Sequence, residues 1–174
     1  MVIHFTQADM TTIRAAHPAD AAAIAAIYNH YVRTTTITFE EVEVTSAEIA
    51  RRIDSVMTSG LPWLVLEDRD DILGYAYACK WKERSAYRRS VECSIYMSPA
   101  AVGKGYSRRL YQRLFEQLTQ CGIHLVIGGV AQPNAASTAL HRKMGFEPVG
   151  SFREVGFKFG QWLDVSYWQL RLGV

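Results

Sequence analysis

Ser98-Pro99-Ala100-Ala101-Val102-Gly103-Lys104-Gly105-Tyr106-Ser107-Arg108-Arg109-Leu110 is the stretch that decides how the rest of the chain is read. Before it, residues 91–97 form an apolar run suited to a strand. After it, Leu110, Leu114 and Leu118 recur at helical spacing until Gly122, a left-handed stop. A strand, a two-glycine turn and a helix N-terminus make a phosphate site, because the glycines let backbone N–H groups converge and the helix dipole favours negative charge. Two common phosphate motifs are absent. A Walker loop needs a glycine five residues before its Gly-Lys pair and none is there, and Arg108 stands where a dinucleotide fingerprint has its third glycine. A tight strand-to-helix connection without a ligand also accounts for the two glycines.

Toward the N-terminus, residues 62–66 and 72–79 are apolar runs around Asp68, Arg69, Asp70 and Asp71, the pattern of an antiparallel hairpin. Thr45 and Glu48 form a capping-box pattern before Ile49, Ile53 and Met57, which predicts a helix. The β-branched residues 34–39 read as extended. An earlier helix starts near Pro18, carries Ile24, Ile27, Tyr28 and Tyr31 on one face, and ends near Val32. Residues 12–15 form a first strand, and residues 1–9 lie outside the pattern as an extension, ordered or not. Toward the C-terminus, residues 125–130 read as a buried strand. Asn134 caps a helix running to Met144, Gly145 stops it, and residues 147–157 and 162–172 are two final strands. The order β-α-α-β-β-β-α-β-α-β-β predicts a single α/β domain over residues 10–174, with helices on the faces of a mixed sheet.

The chain has 174 residues, 49% hydrophobic and 21% charged, with four Trp, nine Tyr and seven Phe, which is ample for one core without staples. A net charge of +2 gives no electrostatic footprint for nucleic acid, so anion binding has to be local. Cys79, Cys93 and Cys121 are odd in number, lack a CxxC pair and sit in apolar surroundings; we expect reduced buried thiols, no structural zinc and a cytoplasmic location. No apolar run reaches the ~20 residues that span a bilayer, so no membrane partner is expected.

From Ser90 onward the sequence resembles the GNAT N-acetyltransferase superfamily, in which Gln/Arg-x-x-Gly-x-Gly/Ala holds the coenzyme A pyrophosphate and a later Asn-capped helix ends in Gly-Phe. The matching residues are the 103–108 loop, Asn134-Ala135-Ala136-Ser137 and Leu140-His141-Arg142-Lys143-Met144-Gly145-Phe146. A narrower resemblance, to the phosphinothricin and methionine sulfone/sulfoximine acetyltransferases, rests on three segments. They are Trp81-Lys82-Glu83-Arg84-Ser85-Ala86-Tyr87, Val91-Glu92 with Tyr96, and Gly156-Phe157-Lys158-Phe159-Gly160-Gln161-Trp162-Leu163-Asp164-Val165. The resemblance implies the GNAT fold, acetyl-CoA as co-substrate without a metal, a small amino-acid acceptor acetylated on its α-amino group, and a homodimer. It also implies that Ile95, Tyr96, Met97, Gly103, Lys104, Gly105, Tyr106, Ser107, Arg108 and Asn134 hold the cofactor. Val102 and Ser107 depart from the motif, while Lys104, Arg108 and Arg109 supply positive charge nearby.

An amine attacks a thioester only as the free base, so a general base is needed near neutral pH. Glu92, a carboxylate inside an apolar strand, is the candidate; a structural ion pair with Arg88 or Arg89 is the plainer account. His141 stands where many superfamily members place a tyrosine that protonates the departing thiolate; packing beside Phe146 is the alternative. A backbone N–H near Tyr96 or Met97 is expected to receive the oxyanion, and the opened strand edge to pair with the pantetheine arm. For the acceptor we expect Lys82, Glu83, Arg84 and Tyr87, with Glu92, Cys93 and Ser94 alongside and Phe39 and Glu40 as outer wall. Trp162 and Trp168 are read as core or dimer interface. Another amine as acceptor (a protein N-terminus, polyamine or aminoglycoside) and a coenzyme A-binding module without turnover remain alternatives.

Overall fold

The computed structural model describes residues 10–173, so the reading of residues 1–9 as an extension lies outside the described residues. Its elements follow the expected order: β1 (Thr11–Ala15), α1 (Ala21–Thr34), α2 (Ser46–Thr58), β2 (Trp63–Asp68), β3 (Asp71–Lys80), β4 (Ser90–Met97), α3 (Tyr106–Gln120), β5 (Leu125–Ala131), α4 (Ala135–Lys143), β6 (Glu147–Lys158) and β7 (Gln161–Arg171). The seven strands form one mixed sheet in the order β1-β2-β3-β4-β5-β7-β6. Only the central β4–β5 pair is parallel.

On one face, Leu110, Tyr111, Leu114 and Leu118 of α3 pack with Cys93, Val126 and Trp168, because a helix stripe and the alternate residues of strands bury the same side. On the other face, Ile24, Ile27 and Tyr28 of α1 and Ile49 and Ile53 of α2 cover Trp63, Val65 and Tyr75. At the N-terminus of α2, Thr45 Oγ1 accepts from the Glu48 N–H at 3.1 Å. The reciprocal half of the predicted capping box is absent, because the Glu48 carboxylate is taken by Arg51 and Arg52. Val56, not Met57, completes the buried stripe of α2, since Met57 lies one position beyond the i, i+4, i+7 row.

Residues 34–39 are not extended. Thr34 belongs to α1, and residues 36–38 bend. The Thr34 hydroxyl donates to the His30 carbonyl at 2.6 Å and the Thr35 hydroxyl to that of Tyr31 at 2.8 Å, so β-branched residues here bind the helix end instead of a strand partner. Cys121 is exposed rather than buried, because it lies just beyond the last turn of α3.

The junction of β4 and β5 places the site. They pair only over Ser90–Glu92 and Leu125–Ile127. Beyond Glu92, β3 carries β4 along to Met97 while β7 carries β5 along to Ala131, and the sheet opens between its two halves.

Candidate active site

The opening is a narrow cleft lined by Cys93, Ser94, Ile95, Tyr96, Gly129, Val130, Ala131, Asn134 and His141, with Tyr111 behind and Ile37 at its mouth. Residues from both faces of the sheet line it, so the cleft passes through the sheet. The orientation of the β4 peptide groups follows from three bonds. The Ser90 carbonyl accepts from Trp81 N–H and Ser98 N–H donates to the Leu73 carbonyl, whereas the Arg89 carbonyl turns to β5 and accepts from Leu125 N–H. By alternation, Ser94 and Tyr96 turn their peptide groups to β3, and Ile95 and Met97 turn theirs to the cleft. The expected oxyanion donor is therefore Met97 or Ile95 and not Tyr96. Tyr31 OH donates to the Met97 carbonyl at 2.6 Å. The Tyr96 ring packs edge-on to Tyr28 at 5.1 Å on the α1 side.

Glu92 lies where β4 and β5 part. Among the described residues its carboxylate has no ion pair and no hydrogen bond, so the alternative pairing with Arg88 or Arg89 is not present. Burial pushes its pKa above the usual carboxylate range, and the positive charge of Lys82 draws it partly back. The carboxylate has room because of Gly129, where a Cβ would lie 3.2 Å from Glu92 Oε1 and 3.4 Å from the Tyr167 ring.

Gly128, one residue earlier, does the same for His141 on the opposite face: a Cβ there would sit 2.4 Å from His141 Nε2. The His141 ring is buried and meets Phe146 edge-on with centroids 4.8 Å apart. Its Nδ1 lies 2.8 Å from the Ser137 carbonyl, which can only accept, so the proton is on Nδ1. Nε2 then carries the lone pair, buried and without a hydrogen-bond partner. Burial lowers the pKa of the ring, which keeps it neutral.

Cys93 is directed to the α3 side, 3.6 Å from Tyr111 OH, and burial pushes its thiol up to about 12. That thiol is no nucleophile near neutral pH. Ser94 reaches the cleft from the other face. Lys82, Glu83 and Arg84 are not in the cleft. They surround a neighbouring depression with Lys80, Arg88 and Ser90 at the start of β4, and Lys82 Nζ rests 4.7 Å over the Trp81 ring. Tyr87 is exposed beside them. On the Glu92 side an open trough runs along Trp81, Ile127, Phe152 and Tyr167. Tyr167, whose hydroxyl is raised by burial and by Glu92, was not singled out by sequence reasoning. The consecutive Gly128-Gly129 inside a strand was the available signal, since glycine there marks a close approach.

At the helix end, Gly103 and Gly105 adopt φ of 80° and 81°, the left-handed region that glycine enters without penalty. No side chain caps α3 at Gly105, so the first N–H groups of that helix are offered outward. Tyr106 and Ser107 form its first turn and Lys104 and Arg108 are exposed around it, whereas Arg109 turns away and donates to Thr11 Oγ1 at 2.7 Å. Asn134 caps α4, its Oδ1 accepting from Ser137 N–H at 3.0 Å, at the rim of the cleft. An uncapped helix N-terminus leading to an open strand edge matches what a pyrophosphate joined to an amide-bearing arm requires. Among the described residues no three His, Cys, Asp or Glu side chains are grouped to hold a metal, and no helix is long and apolar enough to cross a membrane.

Residues 13–167 match the acetyltransferase (GNAT) domain family. Over 161 residues the chain is 38% identical to an L-methionine sulfoximine/L-methionine sulfone acetyltransferase of Salmonella typhimurium strain LT2, covering 92% of this chain and 94% of that protein. It is 42% identical over 159 residues to a phosphinothricin N-acetyltransferase of Alcaligenes faecalis, covering 91% and 81% of the two. Its fold superposes with a TM-score of 0.90 on an acetyltransferase of Salmonella typhimurium solved with acetyl-CoA, at 38% identity and 94% and 95% coverage.

Proposed function

The chain belongs to the GNAT acetyltransferases and is an acetyl-CoA-dependent N-acetyltransferase, and from that premise we propose that it acetylates the α-amino group of a small amino-acid analogue such as phosphinothricin, methionine sulfoximine or methionine sulfone. The observation that carries the reading is the through-sheet cleft with one unpaired carboxylate, Glu92, beside it and an apolar trough on the same side. Acetyl-CoA supplies a thioester carbonyl activated toward amines. Gly103, Lys104, Gly105, Tyr106, Ser107 and Arg108 hold its phosphates, and Ile95, Met97 and Asn134 guide its arm into the cleft from the α3–α4 side. The acceptor enters from the α1–α2 side, where Lys82, whose charge acts on Glu92, attracts its carboxylate and Trp81 and Tyr167 bound its side chain.

Glu92 takes one proton of the ammonium group, the nitrogen forms its bond to the carbonyl carbon, the C–S bond breaks to release coenzyme A as thiolate, the nitrogen's second proton passes to that thiolate or to water, and the Met97 N–H steadies the oxygen charge that develops between. His141 in its neutral form accepts at Nε2 and has no proton there to give. A thiol pKa near ~8.5 lets the sulfur depart as thiolate without a full proton donor. We therefore assign His141 to shaping the cleft wall through Ser137 and Gly128. Exposed apolar residues on the outer strands, Phe152 and Trp162 each 62% exposed, support a homodimer built on that side.

Thiol release from acetyl-CoA, measured across a panel of amino-acid analogues, peptides, polyamines and aminoglycosides, tests the acceptor class. We expect methionine sulfoximine, methionine sulfone or phosphinothricin to rank first by kcat/KM. A peptide or polyamine ranking first overturns the acceptor assignment and leaves the acetyltransferase assignment standing.

A further inference from the structure

Lys158 ends β6 at 0% exposure, although all nine residues of that strand before Gly156 are exposed. A lysine is removed from water only where its ammonium finds a partner. Here Nζ donates to the Thr38 carbonyl at 2.8 Å, across 120 positions of sequence, and lies 4.9 Å from the Phe159 ring. Two residues away, Gly156 receives the Phe39 ring so closely that a Cβ would overlap it. The tip of the β6–β7 hairpin thus grips the segment between α1 and α2 at two adjacent points.

The rest of that segment is tied to the helices. Thr38 Oγ1 and Tyr28 OH are 2.6 Å apart, Tyr28 OH donates to Glu40 at 3.0 Å, and Arg52 donates to the same carboxylate at 2.7 Å. Asn29 exchanges two bonds with the backbone of Val44, at 2.8 and 2.9 Å. Between these ties the segment presents Ile37 to the mouth of the cleft. Lys158 is the tie that comes from the far half of the sheet. It fixes where the segment that carries Ile37 and Phe39 stands relative to the β6–β7 hairpin. A neutral side chain of similar length fills the space but leaves the Thr38 carbonyl without its donor, so the entrance loses its setting while the phosphate loop, on the other face, is untouched.

We propose that Lys158 is a positioning residue for acceptor selection, its bond to the Thr38 carbonyl holding residues 35–44 across the acceptor entrance. The proposal rests on the assignment of the α1–α2 side to the acceptor. The test compares wild type with Lys158→Met and Lys158→Arg, using whichever amine is the best acceptor of the wild-type enzyme, so that a failure of the amino-acid assignment changes the probe and not the question. We expect Lys158→Met to raise acceptor KM by about tenfold or more, with acetyl-CoA KM and kcat within about twofold of wild type. Lys158→Arg, which can still donate, should recover most of the loss. Hydrogen exchange should quicken in residues 35–44 of Lys158→Met and stay unchanged in α3. Gly156→Ala, which displaces Phe39 but keeps the ammonium group, should reproduce the acceptor KM effect if Lys158→Met does not fold. Equal rises in both KM values, no rescue by arginine, or unchanged exchange in residues 35–44 would overturn the proposal. So would a normal acceptor KM in Gly156→Ala.

Discussion

Glu92 combines two properties that rarely coexist in a strand: a carboxylate withdrawn from water and no counter-ion bonded to it. Since its pKa is raised in the fold, the charged form is less stable folded than unfolded. The cost is absent at low pH and appears as pH rises through the folded pKa. Glu92→Gln should therefore melt at the same temperature as wild type in acid and at a progressively higher one toward neutral pH, as followed by thermal denaturation across pH. The same change should lower kcat/KM by ~10² to 10⁴ and abolish the acidic limb of the pH–rate profile, leaving the amine's own ionisation, because general-base help is lost. Superimposable pH profiles for the two proteins would remove Glu92 from the role. His141 faces the opposite expectation. With Nδ1–H committed to Ser137 and Nε2 a buried acceptor, His141→Phe should leave kcat within about tenfold while changing stability. A loss of ~10² or more would restore it as the thiolate's proton donor.

The turn before α3 can be tested through the residue where it departs from the superfamily motif. Val102 is exposed just before Gly103, so Val102→Arg adds a donor without disturbing the core. Isothermal titration should show tighter acetyl-CoA binding, by no more than the ~1.5 to 3 kcal/mol of one charge-assisted hydrogen bond, with acceptor KM unchanged. No gain would mean that Lys104 or Arg108 already fills that position. Helices and strands were legible in the sequence wherever a local rule governed them: the Leu110, Leu114 and Leu118 stripe, Thr45 and Asn134 as caps, Gly122 and Gly145 as stops. Residues 34–39 misled because β-branching expresses a preference for extension, while hydroxyls beside a helix end can bind its last carbonyls instead. The opening of the sheet was hidden for another reason. It depends on β3 and β7 holding β4 and β5 apart, which are pairings made across the chain, and only Gly128-Gly129 leaves a trace of it in the sequence.

The molecule is two half-sheets that share a short seam, and the acceptor entrance is closed by parts of both. The N-terminal half supplies residues 35–44 and the C-terminal half supplies the β6–β7 hairpin. That hairpin also carries Val149, Phe152, Val155 and Phe157 on β6, the edge strand paired on one side only, and Trp162 on the neighbouring β7, all exposed. An apolar edge of this kind invites pairing, and a second copy offers the same surface in return, the self-complementary arrangement of a two-fold dimer. Phe157 and Trp162 already pack on each other, ring centroids 4.9 Å apart, so the patch is preformed and little ordering opposes association. Analytical ultracentrifugation should then give twice the 19.6 kDa chain mass for wild type. The double variant Phe152→Glu, Trp162→Glu should sediment as a monomer, because like charges would be brought together across the two-fold axis. A wild-type monomer would end the dimer proposal, and a dimer indifferent to both glutamates would move the interface to another face.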